Sequence, residues 1–214
     1  MKYSWSLQLK TETSKHAFWL TPLLAIIMAF TLGAAFLLAY GFNPLTVYAA
    51  MFQGAFGSFY GFSETLVKAI PIALCSLAVA IAFRMQLWNI GAEGQLYLGA
   101  LAASWVALNV HNLPSAAILI LMFCAAALAG GLWGAIPGGL KAYLGANETI
   151  TTLMLNYVAI LGVDYLVYGP WKDPQGYNFP LTPVFAKEAW LPILFGNRVH
   201  IGLLIVVLLA LVLY

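Results

Sequence analysis

The sequence predicts an all-α integral membrane protein, a polytopic helical bundle of about five full spans with the start of a sixth. Three observations carry this expectation. Hydrophobic residues make up 63% of the 214 and charged residues only 7%, against roughly 25% charged in soluble domains. Mean hydropathy is +0.91. The apolar residues also gather into runs close to the roughly 20 that a transmembrane helix needs, separated by stretches rich in Gly, Pro and Asn. The formal net charge of +2 is scattered, with no basic stripe, which argues against a nucleic-acid partner. Nothing indicates a cofactor or metal: Cys75 and Cys124 are embedded in apolar runs, and His16, His111 and His200 each stand at a segment end.

The elements follow in order. Residues 1–16 form a polar N-terminal segment with Lys2, Lys10 and Lys15, expected in the cytoplasm. The run Ala17–Tyr40 is too long for the roughly 7 to 15 residues of a signal-peptide core and reads as the first span. Residues 41–63, with Pro44, make an outer loop with a short interfacial helix expected over Leu45–Phe52. Thr65–Phe83 is the second span, ending at Arg84; Pro71 sits near its start, where unpaired backbone donors tolerate it or neighbouring groups re-satisfy the backbone. Glu64 and Lys68, four apart, read as an interfacial pair.

The third span is expected from Asn89 to Ala107, and Gly99, Ala100, Ala102, Ala103 and Ser104 let it pack closely on a neighbour. The fourth covers Ala116–Ile136; Gly130, Gly134 and Gly138 form a ridge one turn apart, and Pro137 is expected to stop the helix. Asn147 is a good N-cap for a fifth span, with Glu148 and Thr149 in its first turn and Asp164 near its end. Residues 170–198 form a Pro-rich outer segment, and His200–Tyr214 opens a sixth span. Lys2, Lys10, Lys15, Arg84 and Lys141 would lie inside against Lys68, Lys172, Lys187 and Arg198 outside, a weak bias under the positive-inside rule.

The stretch Trp88-Asn89-Ile90-Gly91-Ala92-Glu93-Gly94-Gln95 organises this plan. A carboxylate at the bilayer centre costs roughly 2.5 to 3.5 kcal/mol and normally faces protein or a water-filled cavity. Glu93 is therefore a candidate site residue. Gly91 and Gly94 allow close packing, a turn or a helix break, while Trp88, Asn89, Gln95 and Tyr97 offer aromatic faces and amides. If the helix is continuous, Asn89 and Glu93 share one face and Gly91 and Gln95 the next. The plainer reading is a surface turn with Asn89 as N-cap and Glu93 facing water.

Asn89-Ile90-Gly91-Ala92-Glu93-Gly94-Gln95, followed by a small-residue helix, resembles the signature of bacterial ABC-transporter permease subunits of the branched-chain amino acid, ribose and nucleoside importer superfamily. The resemblance is closest to the nucleoside and simple-sugar permeases. Gly145-Ala146-Asn147-Glu148-Thr149-Ile150-Thr151-Thr152-Leu153-Met154-Leu155-Asn156-Tyr157 resembles a second stretch of those permeases, and so does Arg198-Val199-His200-Ile201-Gly202-Leu203-Leu204 after Leu191-Pro192. The resemblance covers nearly the whole chain. It implies a multi-pass permease domain spanning 1–214 in the inner membrane, with an ABC ATPase subunit, a second permease subunit and an extracytoplasmic solute-binding lipoprotein as partners in the lipid bilayer. Such permeases run on for several more spans, so the resemblance implies an N-terminal portion of a longer chain.

The expected substrate pathway is Trp88, Asn89, Gly91, Glu93, Gly94 and Gln95. The resemblance makes Lys141, Asn147, Glu148, Thr149 and Thr152 the ATPase-coupling loop. No phosphate-binding Gly-x-x-x-x-Gly-Lys-Ser/Thr motif is present, so the chain is not expected to hydrolyse ATP itself; the resemblance assigns that role to the partner ATPase and implies a transport subunit, not an enzyme. The alternative is an ion-coupled secondary transporter using Glu93 and Asp164, since broken helices and midplane acids serve those proteins too.

Overall fold

The computed structural model describes residues 15–194 and 196–213. Among them are seven α-helices and one short 3₁₀ turn: α1 Lys15–Ala39, α2 Pro44–Phe56, α3 Phe59–Arg84, α4 Ala92–Asn109, α5 Ser115–Leu144, α6 Glu148–Tyr168, the 3₁₀ turn Lys187–Ala189, and α7 Gly202–Leu213. Four of these contain segments long and apolar enough to cross a membrane: Trp19–Ala39, Phe59–Arg84, Ser115–Leu144 and Glu148–Tyr168. The predicted third span forms as α4, but this helix carries Glu93 and Gln95 near its start and is not among the four. Most of the polar N-terminal segment lies outside the described residues; Lys15 and His16 open α1.

The chain divides into two compact units, residues 1–62 and 63–214. In the first, α1 ends at Gly41, whose φ of +80° suits a residue without Cβ; Phe42 N–H donates to Leu37 O at 2.9 Å, satisfying a carbonyl of the last turn. Asn43 then caps α2, its Oδ1 accepting from Leu45 N at 3.0 Å, with Pro44 at the first helical position, where its missing N–H costs nothing. The α2 helix runs four residues beyond the predicted interfacial segment. Tyr48 Oη donates to Phe30 O at 2.8 Å, and the Tyr48 ring meets that of Phe30 edge-on, with centroids 5.2 Å apart.

In the second unit α4 packs on α5 and α6, α5 on α6, and the 3₁₀ turn on α5. Glycines set the spacing. A Cβ on Gly99 would lie 3.2 Å from Ala126 O, one on Gly130 3.1 Å from Gln95 O, and one on Gly134 3.0 Å from Gln95 Nε2. The predicted ridge on α5 is thus used at Gly130 and Gly134, whereas nothing lies within 4 Å of a Cβ on Gly138. Among the described residues the buried apolar ones are few and none is larger than Ile, with Ala82, Ala107, Ala159 and Ala189 beside Ile70, Val106, Ile118 and Val199, while Leu132, Phe123 and Leu211 stand exposed. A bundle with small residues inside and large apolar ones outside suits lipid, where close backbone approach replaces the hydrophobic effect between helices.

Two prolines depart from expectation. Pro137 does not end α5: the helix passes through it to Leu144, with Pro137 buried. Pro71 lies in the interior of α3, which begins at Phe59 and not near Thr65. In a membrane bundle the carbonyl freed by a proline can be satisfied by neighbouring groups, so the stop rule drawn from soluble helices weakens. Glu64 also departs from its expected partner: its Oε2 accepts from Arg198 Nη1 at 3.2 Å, and beside it Asn197 Nδ2 donates to Ser63 Oγ at 2.9 Å. The segment after α6 is thereby tied to α3. His200, expected only as an interface residue, caps α7 by accepting from Gly202 N at 3.2 Å.

The α4–α5 contact makes a direct prediction. Gly99→Val should destabilise the purified bundle by about 1–3 kcal/mol through overpacking, whereas Gly131→Ala, which meets nothing within 4 Å, should leave it unchanged or slightly firmer. Thermal unfolding in detergent checks this: equal melting of the two variants contradicts the packing described.

Candidate functional site

The polar stretch after α3 is held by its ends. Gln86 adopts a φ of +56°, and Leu87 N donates to Ala82 O at 3.0 Å, so α3 closes as a capped turn. The Trp88 ring then meets Phe83, with centroids 5.5 Å apart and planes at 64°. Asn89 lies outside the helix. Its Oδ1 accepts from Gly91 N at 2.9 Å, a local Asx turn that delivers the chain to α4. Gly91 is the N-cap residue and makes no side-chain cap. Asn89 is therefore neither the helix cap nor on a common helical face with Glu93, because the helix that would align them begins only at Ala92.

The missing cap is supplied from another helix. Asn156 of α6 accepts from Gly94 N through Oδ1 at 2.8 Å and donates through Nδ2 to Ile90 O at 2.8 Å. Thr152, one turn earlier on the same face, accepts from Ile90 N at 3.3 Å and donates to Glu148 O at 2.6 Å. Both Thr152 and Asn156 are buried. The first turn of any helix has donors without intrahelical partners, and a buried orphan costs about 1–3 kcal/mol. Here one amide side chain satisfies a donor and an acceptor together. Gly94 makes the approach possible, since a Cβ there would fall 2.7 Å from Asn156 Oδ1 and 3.0 Å from its Cα. A Cβ on Gly91 would lie 3.0 Å from Thr152 Cβ.

The turn between α5 and α6 is short and fully capped. Gly145, at φ +66°, ends α5, with Gly145 N donating to Lys141 O at 3.0 Å and Ala146 N to Leu140 O at 3.2 Å. Asn147 starts α6 as expected, its Oδ1 accepting from Thr149 N at 3.0 Å and Ile150 N at 3.3 Å. Lys141 Nζ and Glu148 Oε1 meet at 2.6 Å across the turn.

Three cavities flank α4, and the residues singled out in the sequence divide among them. A pocket of about 150 Å³ is lined by Trp88, Asn89 and Gln95 together with Lys141, Glu148 and Thr152, backed by Gly134 and Pro137. Tyr97 lines a separate cavity of about 250 Å³ with Ser104 and Trp171. Glu93 faces neither: it is exposed on a groove of about 660 Å³ between α3 and α4, lined by Pro71, Ile72, Cys75, Ser76, Ile90 and Leu96 among others. Asp164 is exposed on α6, eight positions beyond Asn156 and therefore roughly 12 Å along the axis. Glu93 and Asp164 do not form a pair. Among the described residues no group of three His, Cys, Asp or Glu side chains gathers in a metal-binding arrangement.

A family model described as branched-chain amino acid transport system / permease component matches residues 61–214. The chain belongs to this permease family. It is 43% identical over 198 residues, 87% of its length, to the glucose ABC transporter permease protein TsgB13 of Haloferax volcanii, covering 52% of that protein. To the guanosine ABC transporter permease protein NupP of Bacillus subtilis it is 37% identical over 201 residues, 91% of this chain and 56% of NupP. To the nucleoside ABC transporter permease protein NupB of Lactococcus lactis it is 37% identical over 153 residues, 72% of this chain and 42% of NupB. The chain thus spans about half the length of the curated relatives it matches. No solved structure matches it. A permease-family chain with these apolar helices is a multi-pass membrane protein.

The permease residue that sequence reading missed is Asn156. It lies in the quoted signature stretch, yet on a mostly apolar helix it reads as one polar residue among many; only the meeting of Gly94 and Ile90 with α6 reveals its role.

The Lys141–Glu148 pair predicts a charge-swap result. Glu148→Lys alone sets two lysines against each other across the α5–α6 turn, so it should lower the thermal stability of the bundle, and adding Lys141→Glu should restore most of the loss. Melting curves of wild type, single and double variants check this, and additive losses would contradict an ion pair in the native turn.

Proposed function

We propose that this chain supplies the transmembrane part of an ATP-driven ABC importer for nucleosides or related sugar-like solutes. The observation that carries this reading is the union of the two signature stretches: residues 88–95 and 141–152 meet around one pocket, in a chain of the permease family whose relatives are named for glucose, guanosine and nucleosides. ATP hydrolysis then belongs to an ABC ATPase subunit, docking at Lys141, Asn147, Glu148, Thr149 and Thr152. A second permease subunit completes the path, and an external binding lipoprotein delivers the solute. The location that fits is the cell's inner membrane, with residues 1–16 and the α5–α6 turn on the cytoplasmic side.

Within this reading the 88–95 stretch divides its work. Asn89, Gly91 and Gly94 brace the entry to α4, and Glu93 faces the groove through which solute passes. A charge kept in an apolar setting is expensive, and a groove open to water lowers that cost. The ion-coupled alternative retains no specific support, because its two acids stand apart on different helices.

The deciding experiment is uptake by the complete permease in proteoliposomes. Uptake should require the ATPase subunit and ATP and persist with a protonophore; uptake that collapses with the protonophore and ignores the ATPase overturns the proposal. In the same assay Glu93→Gln should lower uptake on the order of tenfold, about 1.4 kcal/mol on a barrier, with complex yield retained. Gly91→Leu should do worse, since its side chain must displace Asn89 and Thr152. Near-normal uptake by both variants would remove the stretch from the solute path.

A further inference from the structure

We infer that Asn156, with Thr152, is the positioning residue that transmits movement of the α5–α6 turn to the solute groove beside Glu93. The inference rests on the proposed ATP-driven function, and its geometry is as follows. The turn that carries the Lys141–Glu148 pair opens α6. From there Glu148 O accepts from Thr152 Oγ1, and Thr152 Oγ1 accepts from Ile90 N. One turn further on, Asn156 grips both Ile90 O and Gly94 N.

Ile90 and Glu93 are wall residues of the groove. The entry to α4 therefore takes three backbone bonds from α6, one at Gly94 in the first turn and two at Ile90 just before the helix, and none from a side-chain cap of its own. Any displacement of the start of α6 pulls Ile90 and Gly94 with it, and Glu93 is covalently next to Gly94. No other described side chain bonds the backbone of α4 at this end, apart from the local Asn89 turn. Gly94 fits this role: a Cβ there would fall 2.7 Å from Asn156 Oδ1, so its absence is what lets the two helices approach this closely.

Transmission has a readout that simple bracing lacks. Cys75, a free thiol, lines the same groove as Glu93, so its rate of reaction with a maleimide reports the groove's shape. The experiment uses the complete permease assembled with its ATPase in proteoliposomes, in a Cys124→Ser background, with labelling measured nucleotide-free and with vanadate-trapped ATP. In the wild type the two rates should differ by about fivefold or more, the low end of coupling between linked sites.

Asn156→Asp keeps an acceptor for Gly94 N and loses the donor to Ile90 O. Gly94→Ala leaves Asn156 in place and forces the helices apart. Each should bring the two labelling rates within about twofold of each other while the yield of the assembled complex is kept, and uptake per ATP hydrolysed should fall. If both variants keep the wild-type difference, or lose it only in step with complex yield, transmission is overturned and Asn156 is a structural clamp. Wild-type uptake that needs no ATPase subunit defeats the underlying importer reading instead, a separate result seen before any variant is made.

Discussion

The second unit depends on one exchange of hydrogen bonds: the Asn156 amide closes simultaneously on Gly94 N and Ile90 O, both at 2.8 Å. A helix that begins inside a bundle begins with unpaired donors, and in a membrane interior water is scarce. The α4 entry has a glycine at its N-cap and no side-chain cap, so the N–H groups of Ile90 and Gly94 find their partners only if α6 lies against it. That contact needs Gly94, and Gly94 is useful only because the contact exists. Position and packing are therefore fixed together, without a large apolar core.

The same constraint explains the composition of the interior. Where large apolar side chains face outward, helix packing rests on close backbone approach and a few satisfied polar groups. Gly99 against Ala126 and Gly130 and Gly134 against Gln95 are the approaches; Asn156, Thr152 and Ser63 are the buried polar residues. Each of those three is bonded to a neighbouring segment, Ser63 through Asn197. Polar residues here behave as fasteners, and an apolar substitute of equal size would leave a donor or acceptor stranded on the other side.

Much of this could be read from the sequence, and the rest could not for identifiable reasons. Helices and their caps are local, so Asn147 was legible from neighbouring residues as the cap of α6. Pro137 was misread because the rule that a proline stops a helix presumes that the freed carbonyl has no partner, which depends on neighbours that no local pattern shows; Pro71 was placed near a helix start because the apolar run was counted from Thr65, whereas α3 begins at Phe59. Glu64 was matched to Lys68 because they are four apart, but its partner Arg198 is 134 positions away. A shared face for Asn89 and Glu93 required a continuous helix; the Asx turn at Asn89 instead places those side chains in separate cavities. Asn156 was invisible for the converse reason: its function lies wholly in what it meets.

This division of labour leaves most polar groups of the 88–95 stretch engaged inside the protein. Asn89 Oδ1 is engaged by Gly91 N, and the Gly94 and Ile90 backbone groups by Asn156. A group already bonded inside the protein offers a solute little, because a new bond made by breaking an old one yields almost no net free energy. Of the polar residues in the stretch, Glu93 is the one that is exposed and turned toward an open groove. Under the proposed importer function, the surroundings of that groove, Pro71, Cys75 and Ser76 on α3, are where solutes of different shape would be told apart. The bonded groups around it supply the frame that holds Glu93 at the groove wall.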